Sequence, residues 1–303
     1  MRENQLEQLK QQWAEAGVPF ECGVPLARYT TFRIGGPAAL FAAPKNEVQL
    51  AQALAACRRL GVKHYLLGQG SNTLFADEGF DGAVIWTHDL EGAARVEGDR
   101  VVASAGASLI GLSALARDAG LTGLEFACGI PGSLGGAVYM NAGAYGGEMK
   151  DVVESVTCLT RDGEVQVRTA DQLEMAYRTS VFERDGSCVL SAVLHLQPGE
   201  RESIRARMEE LLTKRREKQP LEWPSAGSTF KRPQGAFAAA LIVQCGLKGL
   251  RVGGAAVSEK HSGFVVNLGG ATCADVIALT DEVARIVKEQ TGYTLEREIR
   301  VVK

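Results

Sequence analysis

The 303-residue sequence holds no run long and apolar enough to span a membrane. Its opening stretch, MRENQLEQLKQQW, lacks the apolar core of a secretory signal. The expectation from both absences is a cytoplasmic protein. There is no CxxC pair. The seven cysteines (Cys22, Cys57, Cys128, Cys158, Cys188, Cys245 and Cys273) are widely spaced and odd in number. That argues against a disulfide framework and against a zinc site, and it predicts small buried apolar residues in a reducing compartment. The four histidines, His64, His88, His195 and His261, show no metal-ligand spacing, and no His, Cys or carboxylate cluster points to a catalytic metal. Excess charge is also lacking. A net charge of −3 and a pI near 5.9 give no general attraction to nucleic acid or to an anionic membrane. Repeats and low-complexity tracts are absent.

What is present is an ordinary globular composition, 46% hydrophobic and 23% charged, which is enough for a sizeable core. The length suits two or three domains. Leu6, Leu9 and Trp13 lie at helical spacing. PKNEVQLAQALAACRRLG predicts a helix that Asn46 caps and Gly61 ends. HYLL, GAVIWT and RVVASAG predict strands, and SLIGLSALARDAG a helix between Ser108 and Gly120. VVESVTCLTRDGEVQVRT predicts a hairpin about Asp162-Gly163, and CVLSAVLHLQ a further strand. A long charged helix then runs toward Pro220. The last third predicts an apolar helix near Ala236–Cys245, strands near Val252–Val257 and Phe264–Leu268, and a helix from about Ala274 to Gln290 with Thr272 and Asp275 as its capping box. In TLEREIRVV, Leu295, Arg297, Ile299 and Val301 share one face. The fold class is α+β.

Glycine is concentrated in two places. GIPGSLGGAVYMNAGAYGGE (Gly129–Glu148) has seven glycines in twenty residues, yet keeps Ile130, Leu134, Val138, Tyr139 and Met140. LLGQGSNTLF runs from a predicted strand into Gly68, Gly70, Ser71 and Asn72. Glycine lets backbone approach a ligand closely and allows turns whose N–H groups converge on an anion. Two such loops suit a dinucleotide or sugar nucleotide; the alternative is tight turns with glycines serving packing alone. Neither loop is a Rossmann fingerprint, because Thr73 stands where a third glycine belongs, and there is no Walker A motif.

The ordered set TTFRIGGPA, LLGQGSNTLF, GIPGSLGGAVYMNAGAYGGE, YRTSVF, KRREKQP, SAGSTFKRP, VSEKHSGFVVN and LEREIRVV resembles the bacterial UDP-N-acetylenolpyruvoylglucosamine reductase (MurB) family over nearly the whole chain. The resemblance implies a flavin-binding unit of the p-cresol methylhydroxylase/vanillyl-alcohol oxidase type, with subdomains at 1–88 and 89–200, and a smaller α+β substrate domain at 201–303. The short path from YRTSVF to the long helix matches the shorter subclass without an extra tyrosine loop. Non-covalent FAD is implied, held by Arg33, Gly35, Gly68, Gln69, Gly70, Ser71, Asn72, Thr73, Gly129, Pro131, Gly132, Gly135, Gly136, Asn141, Ala142 and Gly143.

The implied reaction belongs to peptidoglycan precursor synthesis. NADPH is the co-substrate, and the enolpyruvyl ether of UDP-N-acetylglucosamine is reduced to UDP-N-acetylmuramate. Such chemistry needs a stabilised enolate and a proton donor. Ser228 matches the family's proton donor, Arg178 its enolate-stabilising arginine and Glu298 the carboxylate at the reacting group, with Glu296 an in-motif competitor. Tyr177, Lys218, Lys231 and Arg232 fall on the substrate side, Arg232 where relatives carry asparagine. His261 is structural or substrate-lining. A monomer is expected. Two other functions compete: an oxidase on the same scaffold, marked by a histidine joined to the flavin, and a sugar-nucleotide-binding regulator without catalysis.

Overall fold

The structure, a computed structural model, describes residues 3–90 and 94–303. It divides into two compact units, neither continuous in sequence. The first comprises residues 1–22, 40–69 and 82–214; the second comprises residues 23–39, 70–81 and 215–303. Residues 23–39 and 70–81, grouped with the N-terminal part by chain order, thus pack with the C-terminal third.

In the first unit, helix α1 (Glu3–Glu15) buries Leu9 and Trp13, two of the three residues at helical spacing. Helix α2 (Glu47–Arg59) is capped by the Asn46 side chain, which accepts the Gln49 N–H at 2.9 Å. Helix α3 (Leu109–Asp118) follows its Ser108 cap. A five-stranded antiparallel sheet runs in the order Val165–Thr169, Val153–Leu159, Cys188–His195, Arg100–Ser104, Arg95–Glu97. The predicted hairpin forms its edge, with Gly163 at φ 91° in the turn. Strands His64–Leu67 and Phe80–Trp86 pair in parallel. The core gathers Trp13, Leu54, Ile85, Val101, Leu134, Val156, Phe182 and Leu190, each at most 1% exposed.

Inside the glycine-rich stretch lies an element that periodicity does not reveal, helix α4 (Leu134–Met140). Ser133 caps it, and the helix ends at Asn141 in the left-handed conformation (φ 43°). Helix α4 packs on strand Cys188–His195. Gly135 permits close packing at the end of strand Arg100–Ser104: a Cβ there would lie 2.8 Å from the Ala105 Cβ. Helices α5 (Val181–Asp185) and α6 (Arg201–Lys218) follow.

The second unit has a four-stranded sheet in the order Ser225–Ser228, Phe264–Asn267, Ala255–Val257, Arg251–Val252. The strand expected near 252–257 is split in two by a turn at Gly253 and Gly254, where a Cβ on residue 254 would meet backbone at 2.5 Å. Helices α7 (Ala238–Gln244) and α8 (Cys273–Thr291) pack together, and α8 covers the two strands flanking that turn. The Thr272/Asp275 capping box is present, and the Asp77 carboxylate accepts the Cys273 and Ala274 N–H groups at 2.7 and 3.0 Å. Of TLEREIRVV only Arg300–Val302 is a strand. It pairs in parallel with Thr73–Phe75, a non-local partner that alternation cannot name. No helix among the described residues is long and apolar enough to cross a membrane.

Candidate functional site

Each unit carries part of the residue set. In the first, strand His64–Leu67 delivers Gly68 and Gln69. A Cβ on Gly68 would lie 2.4 Å from the Ser133 Oγ, so the two glycine-rich segments touch here. The Trp86 indole N–H donates to the Gly68 carbonyl at 3.0 Å. The Gln69 carboxamide meets the His88 Nδ1 at 2.6 Å, and His88 stacks on Trp86 with ring centroids 4.8 Å apart. His88 is therefore the histidine held against this loop. His64 is near the same loop in sequence, but its Nδ1 faces the Val62 carbonyl, and burial pushes its pKa down.

The N–H groups of helix α4 are committed within the protein. Leu134 donates to the Ala107 carbonyl at 2.8 Å, Gly135 to the Ala105 carbonyl at 2.8 Å and Gly136 to the Ser133 Oγ at 3.4 Å. Gly135 is packed against Ala105, so of the two only the exposed Gly136 presents bare backbone surface, and neither has a free N–H. Gly129 and Gly132 are half-buried and Pro131 is exposed. Ala142 donates to Ala137 and accepts from Met149, and Gly143 pairs with Glu148. Tyr145 and Gly147, at the end of the same stretch, line a cavity of about 300 Å³ with Phe126 and Arg207.

Asn141 is fully buried, and its side chain is engaged on every side. Its Nδ2 donates to Glu148 Oε2 at 2.9 Å and to the Ala176 carbonyl at 3.1 Å, while its Oδ1 accepts the Lys150 N–H at 2.9 Å. Ala176 and Thr179 exchange both backbone hydrogen bonds, closing a tight turn with Tyr177 and Arg178 at its tip. Arg178 sits at φ 57°, the left-handed region that costs a non-glycine residue about 1 kcal/mol or more. Its guanidinium lies over the Tyr177 ring at 5.0 Å and donates to the Gly143 carbonyl at 3.3 Å. Asn141 thus anchors the turn that presents Arg178.

In the second unit, Arg33 is an exposed residue at φ 56°. Gly35 is there for packing, since a Cβ would lie 2.8 Å from the Phe75 Cβ. Gly70 (φ 62°) presses on residue 29, whose carbonyl oxygen a Cβ would meet at 2.1 Å, and its own carbonyl accepts the Thr31 N–H. Ser71 and Asn72 are half-buried and Thr73 is buried at the start of its strand.

Ser228 ends its strand, exposed, after a register shift against Phe264–Asn267 with Gly227 at φ 73°. The next residues pair with the C-terminal segment. Glu298 N–H donates to the Thr229 carbonyl at 2.8 Å, Phe230 bridges Arg297, and Lys231 N–H donates to the Glu296 carbonyl at 2.8 Å. Lys231 Nζ also holds the Glu296 carboxylate at 2.5 Å. The pairing separates the two glutamates: exposed Glu296 belongs to Lys231, and half-buried Glu298 stands beside the residue following Ser228. Arg232 lies over the Phe237 ring at 4.4 Å, and Lys218 is exposed at the end of α6. The His261 Nδ1 accepts the Gly263 N–H at 3.1 Å, its ring packs edge-on against Phe264, and burial lowers its pKa. That is a turn-forming histidine in its neutral form.

Residues 38–168 match the FAD binding domain model, and residues 219–302 match the model of the UDP-N-acetylenolpyruvoylglucosamine reductase C-terminal domain. The UDP-N-acetylenolpyruvoylglucosamine reductase of Lachnoclostridium phytofermentans is 48% identical over 93% of this chain and 92% of its own. That of Clostridium perfringens is 46% identical over 92% and 91%. The crystal structure of UDP-N-acetylenolpyruvylglucosamine reductase (MurB) from Thermus caldophilus matches with a TM-score of 0.79 at 38% identity, covering 94% of this chain and 99% of that one. The α+β architecture with an FAD-binding domain therefore stands, and the chain belongs to the UDP-N-acetylenolpyruvoylglucosamine reductase family.

Proposed function

We propose that this FAD-dependent reductase uses NADPH to reduce the enolpyruvyl ether of UDP-N-acetylglucosamine to UDP-N-acetylmuramate, in peptidoglycan precursor synthesis. The residues fit the cofactor. Gly68 and the Ser133–Gly136 segment adjoin, with the Ser133 Oγ against the Gly68 backbone, which brings the two glycine-rich loops together where a nucleotide would bind. Subdomains at 1–88 and 89–200 would share it, and 201–303 would hold the sugar nucleotide. FAD, when bound, would supply the redox chemistry that links NADPH oxidation to reduction of the enolpyruvyl double bond.

The protein's own residues manage charge and proton. Arg178 holds the substrate carboxylate, where negative charge builds as the enolate forms; a planar guanidinium can do this bidentately. Glu298 stands at the same carboxyl group. Ser228 Oγ gives its proton to the neighbouring carbon. A serine hydroxyl is a weak acid, so the transfer relies on an enolate strong enough to accept the proton. Tyr177 and Lys218 lie on the substrate side, along with Lys231 and Arg232.

The observation that carries this reading is the pairing of Glu298 with Thr229, next to Ser228, while Lys231 occupies the competing Glu296. The test follows the visible flavin band through two anaerobic additions, one equivalent of NADPH and then the enolpyruvyl sugar nucleotide. Bleaching and full return are expected. In Ser228→Ala the bleaching should keep its rate, and the return should slow by orders of magnitude. A return at the wild-type rate removes Ser228 as donor, and no return in the wild type removes the substrate.

A further inference from the structure

Asn72 belongs to a glycine-rich loop, yet its carboxamide is turned to the C-terminal segment. Its Nδ2 donates to the Glu298 carbonyl at 3.2 Å, and its own carbonyl accepts the Arg300 N–H at 2.9 Å. The parallel pairing of Thr73–Phe75 with Arg300–Val302 starts at Thr73 and Arg300. The Asn72 side chain extends that attachment past the end of the strand, as far as Glu298. On its other side the Glu298 N–H is held by the Thr229 carbonyl at 2.8 Å. Thr229 is itself fixed, with its N–H on the Gly263 carbonyl and its Oγ1 accepting the Val265 N–H, both at 2.8 Å. Glu298 is thus gripped through its N–H by the segment carrying Ser228 and through its carbonyl by Asn72.

We propose that Asn72, besides its expected part in holding FAD, is a positioning residue for Glu298, acting on the half-reaction that consumes the enolpyruvyl substrate. The proposal rests on the reading above, in which Glu298 acts at the reacting carboxyl group. The residue type suits the task. A donor must face the Glu298 carbonyl at this reach; aspartate would set a carboxylate oxygen against a carbonyl oxygen, and alanine leaves the carbonyl without this donor. A carboxylate displaced by a fraction of an ångström loses its alignment with the substrate, a misplacement worth roughly 10- to 100-fold in rate.

The experiment compares wild-type holoenzyme with Asn72→Ala, Asn72→Asp, Glu298→Gln and the double variant Asn72→Ala/Glu298→Gln. Measured per bound flavin at saturating FAD, flavin reoxidation by the enolpyruvyl sugar nucleotide should fall by roughly 10- to 100-fold in both Asn72 variants, and by more than reduction by NADPH does. In the Glu298→Gln background the Asn72→Ala loss should shrink to about 2-fold or less, because the two residues act as a unit. A readout without substrate accompanies these rates. The ¹³C carboxyl signal of Glu298, assigned by its disappearance in Glu298→Gln, should titrate at a shifted pH in Asn72→Ala and Asn72→Asp. Equal slowing of both half-reactions, full additivity with Glu298→Gln or an unmoved titration would each overturn the proposal. Failure of the wild type to be reoxidised would sink the substrate instead, and the carboxyl titration would still decide the positioning.

Discussion

Gly68→Ala probes the contact between the two glycine-rich segments. Gly68 has no positive φ, so alanine is free of backbone strain there, and the effect depends on space alone. The added Cβ would lie 2.4 Å from the Ser133 Oγ, about 1 Å inside ordinary contact, but 3.6 Å from the Ser133 Cβ, which is unstrained. Ser133 is 1% exposed and cannot swing into solvent. Either the cap of α4 breaks, at about 0.5–2 kcal/mol, or the segments part, at about 1–3 kcal/mol. A loss of about 2 kcal/mol is expected, with a drop in Tm of about 4–8 °C. Ser133→Ala alone should cost about 1 kcal/mol. The double variant Gly68→Ala/Ser133→Ala should be no less stable than Ser133→Ala, since removal of Oγ removes the clash. Thermal denaturation of the four proteins, with FAD titrations on each, makes the check. Additive losses, or a Gly68→Ala protein as stable as wild type, would refute the contact as the reason for glycine.

Asn141→Ala should destabilise by about 2–4 kcal/mol in denaturant titrations, because three buried hydrogen bonds are lost; Asn141→Gly, which tolerates φ 43°, should do little better. A clear rescue by glycine would show that backbone strain, not the carboxamide, governs the site. His64 and His261 have folded pKa values pushed below the ordinary 6.5 by burial, so the folded state favours their neutral forms. Their contribution is complete above about pH 6.5 and is lost as pH falls through the depressed folded values. The fall in stability between pH 7 and 5.5 should accordingly flatten in His64→Gln/His261→Gln, and an unchanged slope would refute this. Native thiol labelling followed by mass spectrometry should modify exposed Cys22 first, while buried Cys57 and Cys188, both pushed up to about 12 by desolvation, stay unmodified; rapid labelling of either contradicts the packing. Acid precipitation should release all FAD to the supernatant; flavin retained on a His88 peptide would establish covalent attachment beside Gln69 instead.

The sequence by itself determined the local elements with strong period or punctuation: α2 between Asn46 and Gly61, the Asp162-Gly163 hairpin, and α8 behind Thr272 and Asp275. Caps, turns and apolar spacing act within a few residues, so they are written in consecutive letters. Helix α4 escaped because its glycines read as loop. The close packing that requires Gly135 is visible only once Ala105 stands beside it. Motif order supplied Ser228, Arg178 and Glu298 as candidates, with Glu298 ahead of Glu296 because it directly precedes the Ile-Arg of the family pattern. The tertiary structure decided where each stands: pairing across more than sixty residues gives Glu296 to Lys231, and a side chain from position 72 reaches Glu298. It likewise turned the buried carboxamide of Asn141 toward the Arg178 turn and drew residues 23–39 and 70–81 into the C-terminal unit. Each of these outcomes depends on which distant backbone a group meets, and the partner is chosen by how the whole chain buries its apolar surface, not by the residues beside it.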